Sequence, residues 1–168
     1  MTTKMSKHAA AQGFSYLDVM FAIVILLIGV LGIAAAITAT VVRSREAEQQ
    51  LLAKQYASSS LESILSVRDI KKLGWDALAN VGNGQGVFLN GPQPITTDPG
   101  LDGAVGTADD TGTIIPRFQR QITITDINDP QRPSPPNPIM IRRIDVSVFY
   151  QTSISQRVET VSTIVTNY

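Results

Sequence analysis

The sequence predicts an α+β protein in which one long N-terminal helix is followed by a small antiparallel sheet. Three observations carry this expectation. Residues 19–42 contain no charged side chain. Beyond them the chain turns polar but keeps apolar residues at helical spacing, with no proline before Pro92. The C-terminal part then changes to strict alternation of apolar and polar residues, the period of a half-buried strand.

Of 168 residues, 43% are hydrophobic, and much of that content lies in the one apolar block. What remains supports a thin domain packed on a helix, not a deep enzyme fold. Net charge is zero, from 14 basic and 14 acidic residues. That balance gives no electrostatic case for nucleic acid, which normally meets a basic face. There is no cysteine, and His8 is the only histidine. Past residue 8 the chain therefore offers no histidine-dependent triad, no zinc site built on Cys or His, and no haem ligation by His. These features point away from an enzyme. Hydrolysis by a carboxylate pair among Asp98 to Asp110 is formally open, but these acids lie in a turn-rich stretch.

The first element is the apolar block. As a helix at ~1.5 Å per residue, 24 residues span roughly 36 Å, slightly more than the ~30 Å hydrocarbon core of a bilayer. The polar residues before it, MTTKMSKHAAAQ, carry Lys4, Lys7 and His8. A secretory signal peptide is one reading, with Ala34, Ala35 and Ala36 imitating a cleavage site. Against it, the block is longer than a ~7–15 residue signal core. An acid, Asp18, stands at its front edge, and the helical pattern runs on past its end.

The run GFSYLDVMFAIVILLIGVLGIAAA, residues 13–36, resembles the N-terminus of type IV prepilins and type II secretion pseudopilins, most closely the PilV-type minor pilins. The resemblance implies a pilin-like fold and four segments: a leader at 1–13, a membrane and assembly helix at 14–42, its amphipathic continuation at 43–73, and a periplasmic or extracellular region of loops and sheet at 74–168. It implies cleavage after Gly13 by a prepilin peptidase and N-methylation of Phe14. It implies partners as well: other pilin or pseudopilin subunits and an inner-membrane assembly platform. The chain would be a single-pass inner-membrane protein before it enters a periplasmic or cell-surface filament. The N-inside orientation follows from the resemblance alone, because Lys4 and Lys7 on one side nearly balance Arg43 and Arg45 on the other.

The family usually has Glu where this chain has Asp18. There the acid is thought to meet the amine of a neighbouring subunit's first residue. Asp keeps the charge and shortens the reach by one methylene. The plainer reading is an acid favoured by the helix dipole, worth a few tenths to ~1 kcal/mol. The two roles are compatible.

From Arg43 onward, Ala47, Leu51, Ser58, Leu61 and Leu65 define a narrow apolar stripe at steps of three, four or seven. Lys71 and Lys72 suit a last turn and Gly74 the C′ position, so the helix is expected over residues 16–72. Gly29 and Gly32 each cost ~1 kcal/mol against Ala. They fit either close packing by small residues or local unwinding in a filament.

Residues 75–113 are dense in turn signals and read as connecting loops, with Val87, Phe88 and Leu89 as a short strand at most. Trp75 is expected to pack on the domain. Within the loops, DPGLDGAVGTADD places Asp98, Asp102, Asp109 and Asp110 among glycines. Calcium takes ~6–8 oxygens from carboxylates and carbonyls. The segment lacks EF-hand spacing but resembles the DG-x-x-G-T-x-D-D calcium loop of major pseudopilins. A calcium loop and a solvated acidic turn both remain open.

Three strands close the chain. Residues 117–126 put Phe118, Ile122 and Ile124 on one side and Gln119, Gln121, Thr123 and Thr125 on the other. Residues 139–150 put Ile144, Val146, Val148 and Tyr150 on one face, and 158–165 are rich in Val, Thr and Ile. Between the first two strands, NDPQRPSPPNP reads as an extended loop. Residues 152–156 read as a polar turn. Short or proline-rich links favour an antiparallel meander packed on the C-terminal half of the helix.

Three functions compete. The first is a minor pilin of a type IV pilus. The second is a pseudopilin of a type II secretion system, which the calcium-like loop favours. The third, from another class, is a membrane-anchored adhesin or enzyme.

Overall fold

A computed structural model describes residues 13, 15–152 and 155–167. Residues 1–12 of the expected leader at 1–13, and Phe14, lie outside the described residues. The order of elements is α1 (Tyr16–Asp69), β1 (Gln93–Asp98), β2 (Thr111–Ile127), β3 (Ile141–Gln151) and β4 (Gln156–Thr166). The chain divides into two units, Met1–Ser44 and Arg45–Tyr168.

In the first unit, α1 is uninterrupted through Gly29 and Gly32, and every residue from 16 to 42 is exposed. A Cβ added at either glycine would meet nothing within 4 Å. Two of the few polar groups of the block are satisfied within the helix: Thr38 Oγ1 donates to Ala34 O at 2.9 Å and Thr40 Oγ1 to Ala36 O at 2.8 Å. Hydroxyls bonded back to the preceding turn leave little to hydrate in an apolar medium.

The second unit is an α+β domain. Its sheet has the order β1-β2-β3-β4 with every pair antiparallel, the expected meander. The long central pair keeps a constant register from Phe118↔Tyr150 to Ile127↔Ile141. The inward positions predicted by alternation are the buried ones: Phe118, Ile122 and Ile124 on β2, and Ile144, Val146, Val148 and Tyr150 on β3. They form one core with Ala53, Ala57, Leu61, Ile64 and Val67 of α1. Tyr56 meets Phe118 edge to face, with ring centroids 5.2 Å apart, and Phe118 lies 6.2 Å from Tyr150. At the edge of the helix, Gln50 Nε2 donates to Glu159 Oε1 of β4 at 2.8 Å.

The face that α1 buries differs from the expected stripe. Ala47, Leu51 and Ser58 are exposed, while Ala53, Ala57 and Ser60 are buried; Leu61 belongs to both sets and Leu65 packs at the margin. The buried face combines the small side chains at 53, 57 and 60 with the larger Leu61, Ile64 and Val67.

The helix also stops earlier than expected. Lys72 N–H reaches Val67 O at 3.1 Å and Lys71 N–H reaches Arg68 O at 2.9 Å. Lys71 has φ 58. This is a Schellman ending with Lys71, not Gly74, in the left-handed position.

β1 lies in the stretch expected to be loop. It is an edge strand, where Pro94 costs no ladder bond that a central strand would need. Its register with β2 shifts between Pro94 and Ile95, opposite a bulge in β2 where Arg117 has φ 71. β1 pairs with β2 only as far as Arg120. Beyond that point Asn80 takes over the open edge. Its Oδ1 accepts Ile124 N–H at 2.7 Å and its Nδ2 donates to Ile122 O at 2.8 Å. A buried side-chain amide thus stands in for a strand. The expected strand at 87–89 is an isolated bridge, Asn80↔Phe88.

Trp75 packs on the domain, as expected. Its Nε1 donates to Ile139 O at 3.0 Å, and the Arg142 guanidinium lies 4.7 Å from its ring centre.

Candidate functional site

Two places collect the residues singled out in the sequence. The first is the start of α1. Gly13 is exposed, and a Cβ there would meet nothing within 4 Å. Phe14, the expected new N-terminus, lies outside the described residues. Ser15 is the helix N-cap: its Oγ accepts Leu17 N–H at 3.4 Å. Asp18, three residues on, returns its Oδ2 to Ser15 N–H at 3.0 Å. Asp18 thus supplies one half of a capping box, with Asp in place of the usual Glu, while Ser15 Oγ meets the amide of Leu17 and not that of Asp18. The shorter side chain reaches the backbone donor, so the helix-end role of Asp18 has a defined geometry. Beyond Asp18 the exposed surface is Val19, Met20, Phe21, Ile23, Val24 and the residues that follow. By length and composition this helix is long and apolar enough to cross a membrane.

The second place is the acidic loop, residues 98–110. It is anchored to α1 by Ser63 Oγ donating to Gly103 O at 3.2 Å, and to the turn after α1 by Lys72 Nζ donating to Leu101 O at 2.6 Å. Gly100 and Gly106 have φ 70 and 87. A Cβ at Gly106 would collide with Ile122 Cδ1, and one at Gly100 with Asp109. Both positions therefore require glycine for backbone conformation and for space.

The four acids use their oxygens on the loop itself. Asp98 Oδ1 accepts Gly100 N–H at 3.0 Å, and Asp102 Oδ1 accepts Ala104 N–H at 2.7 Å. Asp109 Oδ2 accepts both Leu101 N–H at 2.8 Å and Asp102 N–H at 3.1 Å, while its Oδ1 accepts the Thr107 hydroxyl at 2.7 Å. The hydrogen bond from Thr107, then those from the Asp102 and Leu101 amides, hold the Asp109 carboxyl below its ordinary pKa against a smaller opposing effect of burial. Asp110 Oδ2 accepts Gly106 N–H at 2.8 Å. It also pairs with Arg120 Nη2 at 2.8 Å.

In this arrangement the carboxylate oxygens are engaged by the loop itself. Calcium needs several oxygens facing one centre. Among the described residues, no three acids come together in a way that could hold a metal. The carboxylates face N–H groups, which compete with a cation for the same lone pairs. Asp98, Asp102, Asp109 and Asp110 are structural acceptors that fold the loop.

Arg120 was not singled out in the sequence, although its signal was there. It has the same parity in β2 as Phe118, Ile122 and Ile124, and so must face the core. Its side chain is 3% exposed. Burial pulls its pKa down and Asp110 opposes that shift. Arg142 obeys the same rule on β3. It pairs with Asp126 at 2.7 Å and donates to Trp75 O and Leu78 O.

Comparisons with models of known protein families, with curated proteins and with solved structures found no significant match to this chain.

Proposed function

We propose that this chain is a filament subunit of the type IV pilin class, made as a single-pass inner-membrane protein and polymerised through its apolar helix. The observation that carries the reading is the fully exposed apolar run of α1, which passes without a break into a helix that serves as one layer of a packed domain. An apolar helix with its backbone bonds satisfied internally is stable in lipid, and it keeps that burial if it moves into the core of a filament. Asp18 would then have two successive roles. It caps the helix in the monomer, and it accepts the Phe14 amine of a neighbouring subunit in the filament. Prepilin peptidase would cut after Gly13, and the assembly platform would extract the mature chain from the membrane. A minor pilin is the preferred assignment, on the run at residues 13–36.

A pseudopilin of a type II secretion system is the second reading, favoured by the likeness of DGAVGTADD to the loop of that class. The two share the same physics and differ in the filament joined. The test is incorporation. In cells carrying the assembly machinery, the wild-type chain is expected in the sheared or purified filament fraction. Asp18→Ala is expected to insert and be cleaved but to be depleted from that fraction. A wild-type chain that stays wholly in the membrane under assembling conditions would overturn the reading.

A further inference from the structure

We propose that the acidic loop is locked by an internal cation, the Arg120 guanidinium, and folds without a metal ion. The proposal goes beyond the filament reading and stands or falls independently of it.

An arginine among Phe118, Ile122 and Ile124 on the inward face of β2 is expensive unless its charge is paired and its donors are used. Arg120 meets that demand by joining three elements. Nη2 pairs with Asp110 of the loop, and Nη1 donates to Ser60 Oγ of α1 at 3.2 Å. The backbone of Arg120 belongs to β2, where it pairs with Val148. Asp110 carries the charge onward, since the same Oδ2 that holds the guanidinium also holds Gly106 N–H. Thr107 Oγ1 lies 3.3 Å from Asp110 Oδ1 and donates to Asp109, whose other oxygen holds the Leu101 and Asp102 amides. One buried positive charge thus anchors a chain of contacts that fixes most of the loop.

A second observation concerns the space under the loop. Arg120 Nε is buried and has no partner, and a Cβ at Gly106 would lie 3.8 Å from it. The unused polar atom under the loop is therefore a donor on a cation. It attracts an acceptor such as water and repels a metal ion.

The test uses the full chain in mild detergent and reads backbone hydrogen exchange of the loop amides at Leu101, Asp102, Ala104 and Gly106. The wild type is expected to show the same protection in EDTA and in millimolar calcium. Arg120→Met is expected to exchange these amides about tenfold faster or more in EDTA. Asp110→Asn, which keeps the shape and an acceptor oxygen but removes the counter-charge of Arg120, carries the same expectation should the first variant fail to fold. Wild-type protection that needs calcium would overturn the proposal. So would Asp110→Asn protection equal to wild type in EDTA.

Discussion

Ile64→Ala and Leu51→Ala make comparable deletions on one helix, and the structure assigns them very different costs. Ile64 is fully buried against the sheet, whereas Leu51 is 67% exposed. Truncating Ile64 removes three carbons. At ~0.8 kcal/mol per buried methylene the transfer loss is about 2.4 kcal/mol. The cavity left between helix and sheet adds to this, so the total is roughly 3–4 kcal/mol, within the ~2–5 range for such deletions. For a domain of this size that lowers the melting temperature by roughly 10 °C. Leu51→Ala should stay within about 0.5 kcal/mol of wild type. Trp75, the single tryptophan, packs beside this core and reports its unfolding by fluorescence in a denaturant titration of the detergent-solubilised chain. Equal losses at the two positions, or a larger loss at Leu51, would refute the assignment of the buried face to Ala53, Ala57, Ser60 and Ile64.

Three further outcomes follow from the same geometry. Asn80→Ala leaves Ile122 O and Ile124 N–H without their partners and should cost about 2–4 kcal/mol in the same titration; a cost below about 1 kcal/mol would show that water replaces the amide. Asp109 titrates lower in the folded chain than in the unfolded one, so its stabilising effect is complete above the ordinary carboxylate range and is lost as pH falls through the lower folded value. Loop amides at Leu101 and Asp102 should therefore lose protection at acid pH, after correction for intrinsic exchange, and Asp109→Asn should flatten that dependence. In the detergent-solubilised monomer, Asp18→Ala should destabilise only the first turn of α1, by about 0.5–1 kcal/mol, seen as faster exchange at Ser15 and Leu17 with the domain's melting temperature unchanged.

The strands that alternate strictly were legible in the sequence. Ile144, Val146, Val148 and Tyr150 occupy the positions that a period of two assigns them. β1 was not legible, because QPITTD sits between Pro92 and Pro99-Gly100. Turn chemistry masked an edge strand that tolerates Pro94. The helix face was misplaced as well. Leu51 is the more hydrophobic residue yet is exposed, while Ala53 and Ala57 join Leu61 and Ile64 in the core. The end of the helix was sought at Gly74, the residue with free access to left-handed φ. Lys71 adopts that conformation instead, held by hydrogen bonds to Val67 and Arg68.

At the acidic loop the residues singled out in the sequence are the ones that organise the loop, and their composition fits two chemistries. Four aspartates among glycines match what calcium needs in composition. They also match what a tight loop needs, which is acceptors for the amides that its turns leave unpaired. Nothing local distinguishes these cases. The discriminating residue is Arg120, ten positions past Asp110 and on another element. Only the parity of β2 gives it away, by placing a charge on the same face as Phe118 and Ile122.

The start of α1 shows the opposite balance. The contact of Asp18 with the Ser15 amide is local, three residues apart on the first turn. The use of Asp18 in assembly depends on Phe14 of a second chain, and the acid's geometry in the monomer serves equally well for a helix that never assembles.

The central claim is that the apolar half of α1 becomes an assembly handle once residues 1–13 are removed. The most direct measurement is the N-terminus of the mature protein, read by sequencing and intact mass from cells that contain a prepilin peptidase. The account predicts a chain beginning at an N-methylated Phe14. A chain that keeps residues 1–13, or one cut near Ala36 as a secretory signal would be, would contradict it.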